Sequence, residues 1–430
     1  MQLSIPKRAD SMSMTEKRRT VLVLLIGEVL EDPRVYRTSI SLRDAGALVT
    51  VACTNPSSRP VREERDGFSI VRFPHRREFF IKRLYNWLQG KMPSRAAGIL
   101  VRGHEDVPRS PVKTVVRNAV LGLNFRHFTN ANRAINRSMI RAFEHSSFDL
   151  VHANDVDTLF AGSELKRLGA ARELLYDSHE YWSGIGVHGS APNDAIRRME
   201  SEGIVCADYV VTVNPLIAGK LRSQYGLDRQ PAAVMNCPNR YDGTVSAGSV
   251  HDPVRVVYIG KLQAFRGLRE LVAAFSMIDG GVLTLAGYGP LGENLRRLAE
   301  KEGLGDKVSF TGRYRPDSVM NILAEHDIGV MPFKDVTLNL VYTSPNKYFD
   351  YAMAGLAVAA SDLPFLRASI LEHDMGVIFP DVSPGGIAET LNALIDDHDR
   401  LVRYRKNARS AALADLCWEE QFLRNYPWRP

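Results

Sequence analysis

Short apolar runs recur along the chain, and most are followed by residues with helical spacing. In the first half the runs are Val21–Ile26, Leu48–Cys53, Phe68–Phe73, Phe148–His152, Glu173–Tyr176 and Tyr209–Val213. Their length and composition predict buried strands. Between the first two, Asp32-Pro33 opens a helix that should end near Gly46, with Asp at the N-cap and Pro in the first turn. The second half repeats the scheme with strands at Arg255–Ile259, Val282–Ala286, Val308–Thr311, Ile328–Met331 and Leu356–Ala360. Its helices are predicted from Arg266, over Leu291–Glu302, over Pro316–Glu325, from Pro345 and over Pro384–Ile395. Leu268, Leu271, Val272 and Phe275 make one apolar stripe on the first of these.

Strand–helix alternation implies parallel sheets covered on both faces. The alternation breaks at Cys237–Pro253, where Gly, Pro, Asn and Ser cluster without a period, as in a linker. The expected organisation is therefore two doubly wound α/β domains. They are a first domain over residues 20–237 and a second over 254–413, joined by a linker at 238–253 and closed by a last segment at 414–430.

The composition fits this picture. At 430 residues the chain is too long for one core, and 45% apolar with 24% charged residues is ordinary for a folded protein. Cys53, Cys206, Cys237 and Cys417 form no CxxC pair, which argues against a zinc site or a disulfide framework and fits a reducing compartment. Lys17-Arg18-Arg19 before Val21–Ile26 imitates a secretory signal, but six apolar residues are too few. Residues 1–19 are expected to be a disordered leader.

Net charge is +6, and it is concentrated. Val71–His145 carries 15 Lys and Arg against 4 Asp and Glu, or +11, and the other residues together carry −5. Within this segment His75–Leu88 mixes cations with large apolar residues, including Trp87, at helical spacing. The basic insertion at 75–145 reads in three ways. It can be a membrane-surface helix drawn to anionic lipid, an insertion that recognises an anionic soluble acceptor, or a packed helix whose Arg side chains lie in water. No nucleic-acid motif accompanies the charge, so nucleic acid is not an expected partner.

In such sheets ligands sit beyond the carboxyl ends of strands, near helix N-termini. Gly260-Lys261 and Arg266-Gly267 bracket one such turn, and two cations on a glycine loop suit a diphosphate. The same loop reads equally as a surface Lys and Arg on a glycine turn. In Thr343–Gly355, Ser344 is a candidate cap and Pro345 suits the first helical turn. The amides near Asn346 and Lys347 would then face an anion, with Asp350 placed to accept from a ribose diol. A capped helix with a solvated Asp is the plainer reading of these residues. Tyr176-Asp177-Ser178-His179-Glu180 follows a strand and offers His179 to a sugar hydroxyl, although a lone His is more often structural. Gly287-Tyr-Gly289-Pro290 and Leu25-Ile-Gly27-Glu28 add glycine turns, and none completes a P-loop or GxGxxG fingerprint.

Their order along the chain is more specific than any one of them. Gly-Lys-(four residues)-Arg-Gly is followed by Leu-Ala-Gly-Tyr-Gly-Pro, Val-Ser-Phe-Thr-Gly312-Arg and His-Asp327-Ile-Gly-Val-Met-Pro332. Pro-Asn-Lys-Tyr-Phe-Asp350-Tyr-Ala-Met-Ala-Gly comes next. This succession resembles the C-terminal domain of glycosyltransferase family 4, retaining enzymes of GT-B architecture. Asp32-Pro-Arg-Val and Tyr-Asp-Ser-His179-Glu resemble that family's N-terminal domain more loosely. The resemblance covers roughly residues 20–425 and is specific in the second half.

The resemblance implies two Rossmann-like domains facing each other across a cleft, and a sugar moved from a nucleoside-diphosphate donor to an acceptor hydroxyl. It makes Lys261 and Arg266 the clamp on the donor diphosphate, with Ser344, Asn346 and Lys347 beside them. The family usually has Arg then Lys at the clamp, so here the types are exchanged. His179 would contact the transferred sugar, and Asp350 would stand for the second acid of a paired-glutamate motif that holds the ribose. The first acid of that pair falls on Tyr342, a departure shared with relatives carrying Pro-Asn-Lys-x-Phe-Glu-Tyr. Gly27, Gly260, Gly267 and Gly289 would form the glycine loops, and Asp32 and Arg34 the acceptor side. No metal or cofactor is implied, and the location expected is the cytoplasm, with peripheral association at the inner face of the membrane through 75–145. The segment from Trp418 to Trp428 looks like a last helix that packs back on the first domain. Tyr342 leaves open a non-catalytic nucleotide-sugar-binding protein, and the fold leaves open a nucleotide-sugar epimerase.

Overall fold

The computed structural model describes residues 18–55, 60–74, 132–185 and 191–430. Most of the basic segment, residues 75–131, and the leader up to residue 17 lie outside the described residues. The chain divides into two compact units: one formed up to Ala233 together with Tyr426–Pro430, and one formed by Val234–Asn425.

The first unit is built on an eight-stranded sheet. Its strands are β1 (Thr20–Leu24), β2 (Leu48–Asn55), β3 (Val61–Arg65), β4 (Phe68–Pro74), β5 (Phe148–Asn154), β6 (Ala171–Ser178), β7 (Tyr209–Thr212) and β8 (Ala232–Ala233). They run in the order β3-β4-β2-β1-β5-β6-β7-β8, and only the β3–β4 pair is antiparallel. β3, Val-Arg-Glu-Glu-Arg, was not expected, because it has no apolar face to announce it. It exists as the edge partner of β4, joined through Asp66 and Gly67, both with positive φ, the geometry of a tight hairpin turn. Helices Pro33–Asp44, Asp155–Arg167, Ala191–Ile204 and Pro215–Tyr225 and the helical residues 132–143 accompany the sheet. Leu22, Leu24, Val151, Ala153, Leu174 and Tyr176 from adjacent strands form the centre of the core.

The second unit holds an all-parallel six-stranded sheet. Its strands are β9 (Val254–Ile259), β10 (Gly281–Ala286), β11 (Val308–Gly312), β12 (Ile328–Met331), β13 (Ala357–Ser361) and β14 (Gly376–Phe379), in the order β11-β10-β9-β12-β13-β14. β14 is four residues long, too short to signal itself against the helices that flank it. The helix before it, Pro364–Glu372, and the later helix His398–Ala414 were also not expected.

The expected linker at 238–253 lies inside the second unit. It has no period because it forms no helix or strand, yet it is anchored. Arg409 donates to the Tyr241 carbonyl and Arg405 to that of Ser249, while His251 Nδ1 lies 3.0 Å from Asp327 Oδ1. Asp327 in turn is buried and paired with Arg405 at 2.6 Å. The last helix spans Trp418–Asn425, shorter than expected, and the five residues after it belong to the first unit. There Trp428 Nε1 donates to Glu173 at 2.8 Å, and the Tyr426 hydroxyl meets His152 Nδ1 at 2.9 Å.

Candidate active site

Because every strand of the second sheet is parallel, the turns after β9, β10 and β12 gather at one edge. The loop after β9 is held there by backbone hydrogen bonds: Gly260 N–H to Ala286 O at 2.8 Å, Leu262 N–H to Tyr288 O at 2.9 Å, and Lys334 N–H to Phe265 O at 3.0 Å. Close approach explains the glycines. A Cβ on Gly267 would lie 1.8 Å from the Pro332 carbonyl oxygen, and one on Gly289 2.2 Å from that of Leu262. Gly267 also has φ +63°, the left-handed conformation that glycine adopts without cost, and it precedes the helix Leu268–Ala274.

Two cations converge above this loop. The Arg266 guanidinium lies 4.5 Å from the centre of the Phe333 ring, and Lys347 Nζ lies 5.3 Å from the same ring and 3.7 Å from that of Tyr258. Lys347 Nζ also reaches within 3.0 Å of where a Cβ on Gly260 would stand. Neither cation has an ion pair with a carboxylate among the described residues. Burial pushes the Lys347 pKa well below the ordinary lysine value, and the Arg266 charge pushes it further; Asp350, one helical turn on, opposes both. The aromatic faces favour the charged forms of both side chains, against the burial that disfavours a charged Lys347.

The sequence paired Lys261 with Arg266, whereas the structure sets Arg266 and Lys347 about one ring, with Lys261 exposed on the loop. The Lys261 carbonyl accepts from the Tyr258 hydroxyl at 3.1 Å. Ser344 does not cap the following helix, as expected of it. That helix is Asn346–Met353, its N-cap is Pro345, and no side chain caps it. Proline at the cap leaves Ser344 one residue too early, and it is buried there. Asn346 is exposed and accepts from Asn236 Nδ2 at 3.1 Å. Tyr342 ends the short helix Leu338–Val341, and Asp350 is half-buried in Asn346–Met353, near Tyr314.

The first unit carries a second cluster at the carboxyl ends of β5 and β6. His179 Nδ1 lies 3.2 Å from Asp155 Oδ2, and its Nε2 lies 3.2 Å from Asn154 Oδ1 and 3.6 Å from Asp177 Oδ2. Burial alone would discharge the ring, but the Asp155 and Asp177 carboxylates outweigh it and raise its pKa to about 9. Carboxylates thus flank the His179 ring on both sides, with Asn154 Oδ1 facing its Nε2. Asp177 is buried, which alone would raise its pKa; Arg34, His179 and His152 around it hold it well below the usual carboxylate range.

Arg34 was expected on the acceptor side, yet it is 1% exposed and its fork is bonded to Asp177. Asp32 caps its helix by accepting from the Arg34 and Val35 amides. The Gly27 carbonyl accepts from Thr54 N–H at 2.9 Å. Tyr258, Phe333, Asp155, Trp182 and His152 were missed by the sequence reading. All but Trp182 lie in or just past strands, so reading the strand ends as one set would have found most of them.

Two family descriptions match the chain, one in each unit. The family described as "Glycosyl transferases group 1" matches residues 253–397, and "Glycosyl transferase 4-like domain" matches residues 32–238. The chain belongs to the group 1 glycosyltransferases. A GDP-mannose-dependent alpha-(1-6)-phosphatidylinositol monomannoside mannosyltransferase of Mycobacterium tuberculosis is 25% identical over 295 residues, covering 63% of this chain and 74% of the relative. A D-inositol 3-phosphate glycosyltransferase of Corynebacterium glutamicum is 24% identical over 163 residues, covering 36% and 38%. Among solved structures, sucrose-phosphate synthase from Thermosynechococcus elongatus superposes with a TM-score of 0.68 at 17% identity, over 95% of this chain and 97% of that one. Anabaena HepE in complex with UDP-glucose superposes with a TM-score of 0.61 at 13% identity, over 94% and 97%. This glycosyltransferase thus has the GT-B fold, two Rossmann-like units. No helix among its described residues is long and apolar enough to cross a membrane. Nor does any group of three or more His, Cys, Asp or Glu among them form a metal site.

Proposed function

We propose that this glycosyltransferase moves a hexose from a nucleoside-diphosphate hexose to an acceptor hydroxyl with retention of anomeric configuration. The observation that carries the reading is the pair Arg266 and Lys347, two cations gathered on Phe333 and Tyr258 without a carboxylate partner among the described residues. A diphosphate supplies the missing negative charge, and both cations strengthen their hold as the departing diphosphate gains charge. In the transfer the bond from the anomeric carbon to phosphate oxygen breaks and a bond to the acceptor oxygen forms on the same face. The acceptor proton passes to the leaving diphosphate. Lys261 adds mobile positive charge at the loop, and Asp350 is placed to accept from the ribose. His179 brings its fixed charge to the transferred sugar.

The acceptor is proposed to be anionic or lipid-linked, because the chain concentrates +11 between Val71 and His145. GDP-mannose is the first donor to test, since a relative aligned over 295 residues is named for it. The experiment is thermal unfolding with GDP-, UDP- and dTDP-hexoses, followed by NMR of the anomeric proton in the product. One donor should raise the melting temperature and yield a product of unchanged configuration. No stabilisation by any nucleoside diphosphate, or an inverted product, would overturn the reading.

A further inference from the structure

We propose that Asp155 is a positioning residue whose carboxylate clasps the segment from His179 to Trp182 and fixes the His179 ring, doubly protonated, for sugar transfer. The proposal rests on the reading of His179 as lying at the reaction centre. Asp155 Oδ1 accepts from the His179 backbone N–H at 2.9 Å and from Trp182 Nε1–H at 2.7 Å, and its Oδ2 faces His179 Nδ1 at 3.2 Å. One side chain thus accepts two hydrogen bonds from, and holds one ionic contact with, the four residues that follow β6.

The local chain forgoes stability to make this clasp. Asn154 and Asp155 stand at the start of the helix Asp155–Arg167, and both residue types are strong helix caps. Yet Asn154 does not cap: its Nδ2 donates to Leu24 O at 2.9 Å and its Oδ1 faces His179 Nε2. Asp155 holds φ +61°, a left-handed conformation uncommon outside glycine. Two good capping side chains are both turned toward one histidine.

The consequence follows from hydrogen-bond inventory. With the Asp155 carboxylate against one side of the ring and Asn154 Oδ1 and the Asp177 carboxylate against the other, the surroundings favour a ring protonated on both nitrogens, although burial raises the Asp155 pKa. A ring so held has no lone pair for proton abstraction, so it acts through fixed charge. The other groups that bear on it are Arg34, bonded to Asp177, and His152, whose Nε2 is 3.4 Å from Asp177 Oδ2. Glu200 is buried, and the Asp155 charge adds to the burial that raises its pKa to about 7. Burial pushes His152 toward the neutral form, so it does not compete for the positive charge.

Nitrogen-15 NMR of the wild-type enzyme, with His179 assigned through H179Q, tests the clasp directly. Two protonated ring nitrogens are expected through pH 8, and a neutral ring at pH 7.5 would overturn the proposal. In folded D155N, the His179 pKa should fall from about 9 toward the ordinary range. Its kcat should drop roughly 10- to 100-fold while the donor dissociation constant stays within about threefold. Wild-type kcat in D155N, or an unchanged titration, would also overturn it. Full transfer by H179A would instead overturn the placement of His179 at the reaction centre and with it the transfer role, and the NMR titration would still decide the clasp.

Discussion

Arg34 and Asp177, 143 residues apart in sequence, meet through two hydrogen bonds of 2.9 and 2.8 Å with both side chains almost wholly out of water. The pair ties the first helix of the first unit to the end of β6, directly behind His179. Breaking one partner leaves the other charged and buried, which is far worse than losing a surface pair.

R34A should therefore lower unfolding free energy by about 3–5 kcal/mol, measured by urea denaturation. The pH dependence has a definite sign. Asp177 has a lower pKa folded than unfolded, so its contribution is present above the unfolded value near ~3.9 and is lost as the pH falls through the folded one. Wild-type enzyme should lose more stability than D177N between neutral pH and acid. A D177N profile parallel to wild type would refute the assignment.

R266A and K347A should each weaken binding of the nucleoside diphosphate by about 10- to 100-fold at low salt, by calorimetric titration. Bound phosphate raises the Lys347 pKa from its lowered free value, so binding takes up protons and affinity falls as pH rises. Calorimetry in two buffers of different ionisation enthalpy reads that uptake. Release of protons would contradict it.

The donor cluster was partly legible in the sequence, and the part that was missed has a physical reason. Arg266 and Lys347 were both singled out, because cations beside glycine turns are visible in a string of letters. Their partnership was not, since it depends on Phe333 and Tyr258, which read as core residues until the parallel sheet brings their strand ends together. The same holds in the first unit. His179 was legible from its motif, whereas Asp155 carries no motif of its own and is revealed only by its contacts with His179 and Trp182. The strands announced themselves wherever they were buried on both faces; β3 did not, because an edge strand of Arg and Glu carries no hydrophobic signal.

Gly267→Ala tests the packing of the donor loop independently of charge. The new Cβ would stand 1.8 Å from the Pro332 carbonyl oxygen, and φ +63° is strained for alanine. The loop must move, carrying Arg266 with it. The expected outcome is a loss of about 1–3 kcal/mol in stability with a matching loss of nucleotide affinity. Unchanged melting temperature and affinity would show that the loop is held elsewhere.

Metal removal distinguishes protein cations from a bound divalent ion as the counter-charge for the leaving diphosphate. Arg266 and Lys347 bring two positive charges to one aromatic platform, as many as one magnesium ion would carry. If they bear the developing charge, transfer in excess EDTA should keep its rate within about twofold, whereas R266A should lose about 10- to 1,000-fold in kcat/KM. Magnesium would then fail to rescue R266A, because it has no fixed place at which to replace a guanidinium. Loss of wild-type activity in EDTA, restored by magnesium, would instead assign the leaving-group charge to a metal and reduce Arg266 and Lys347 to binding the resting diphosphate.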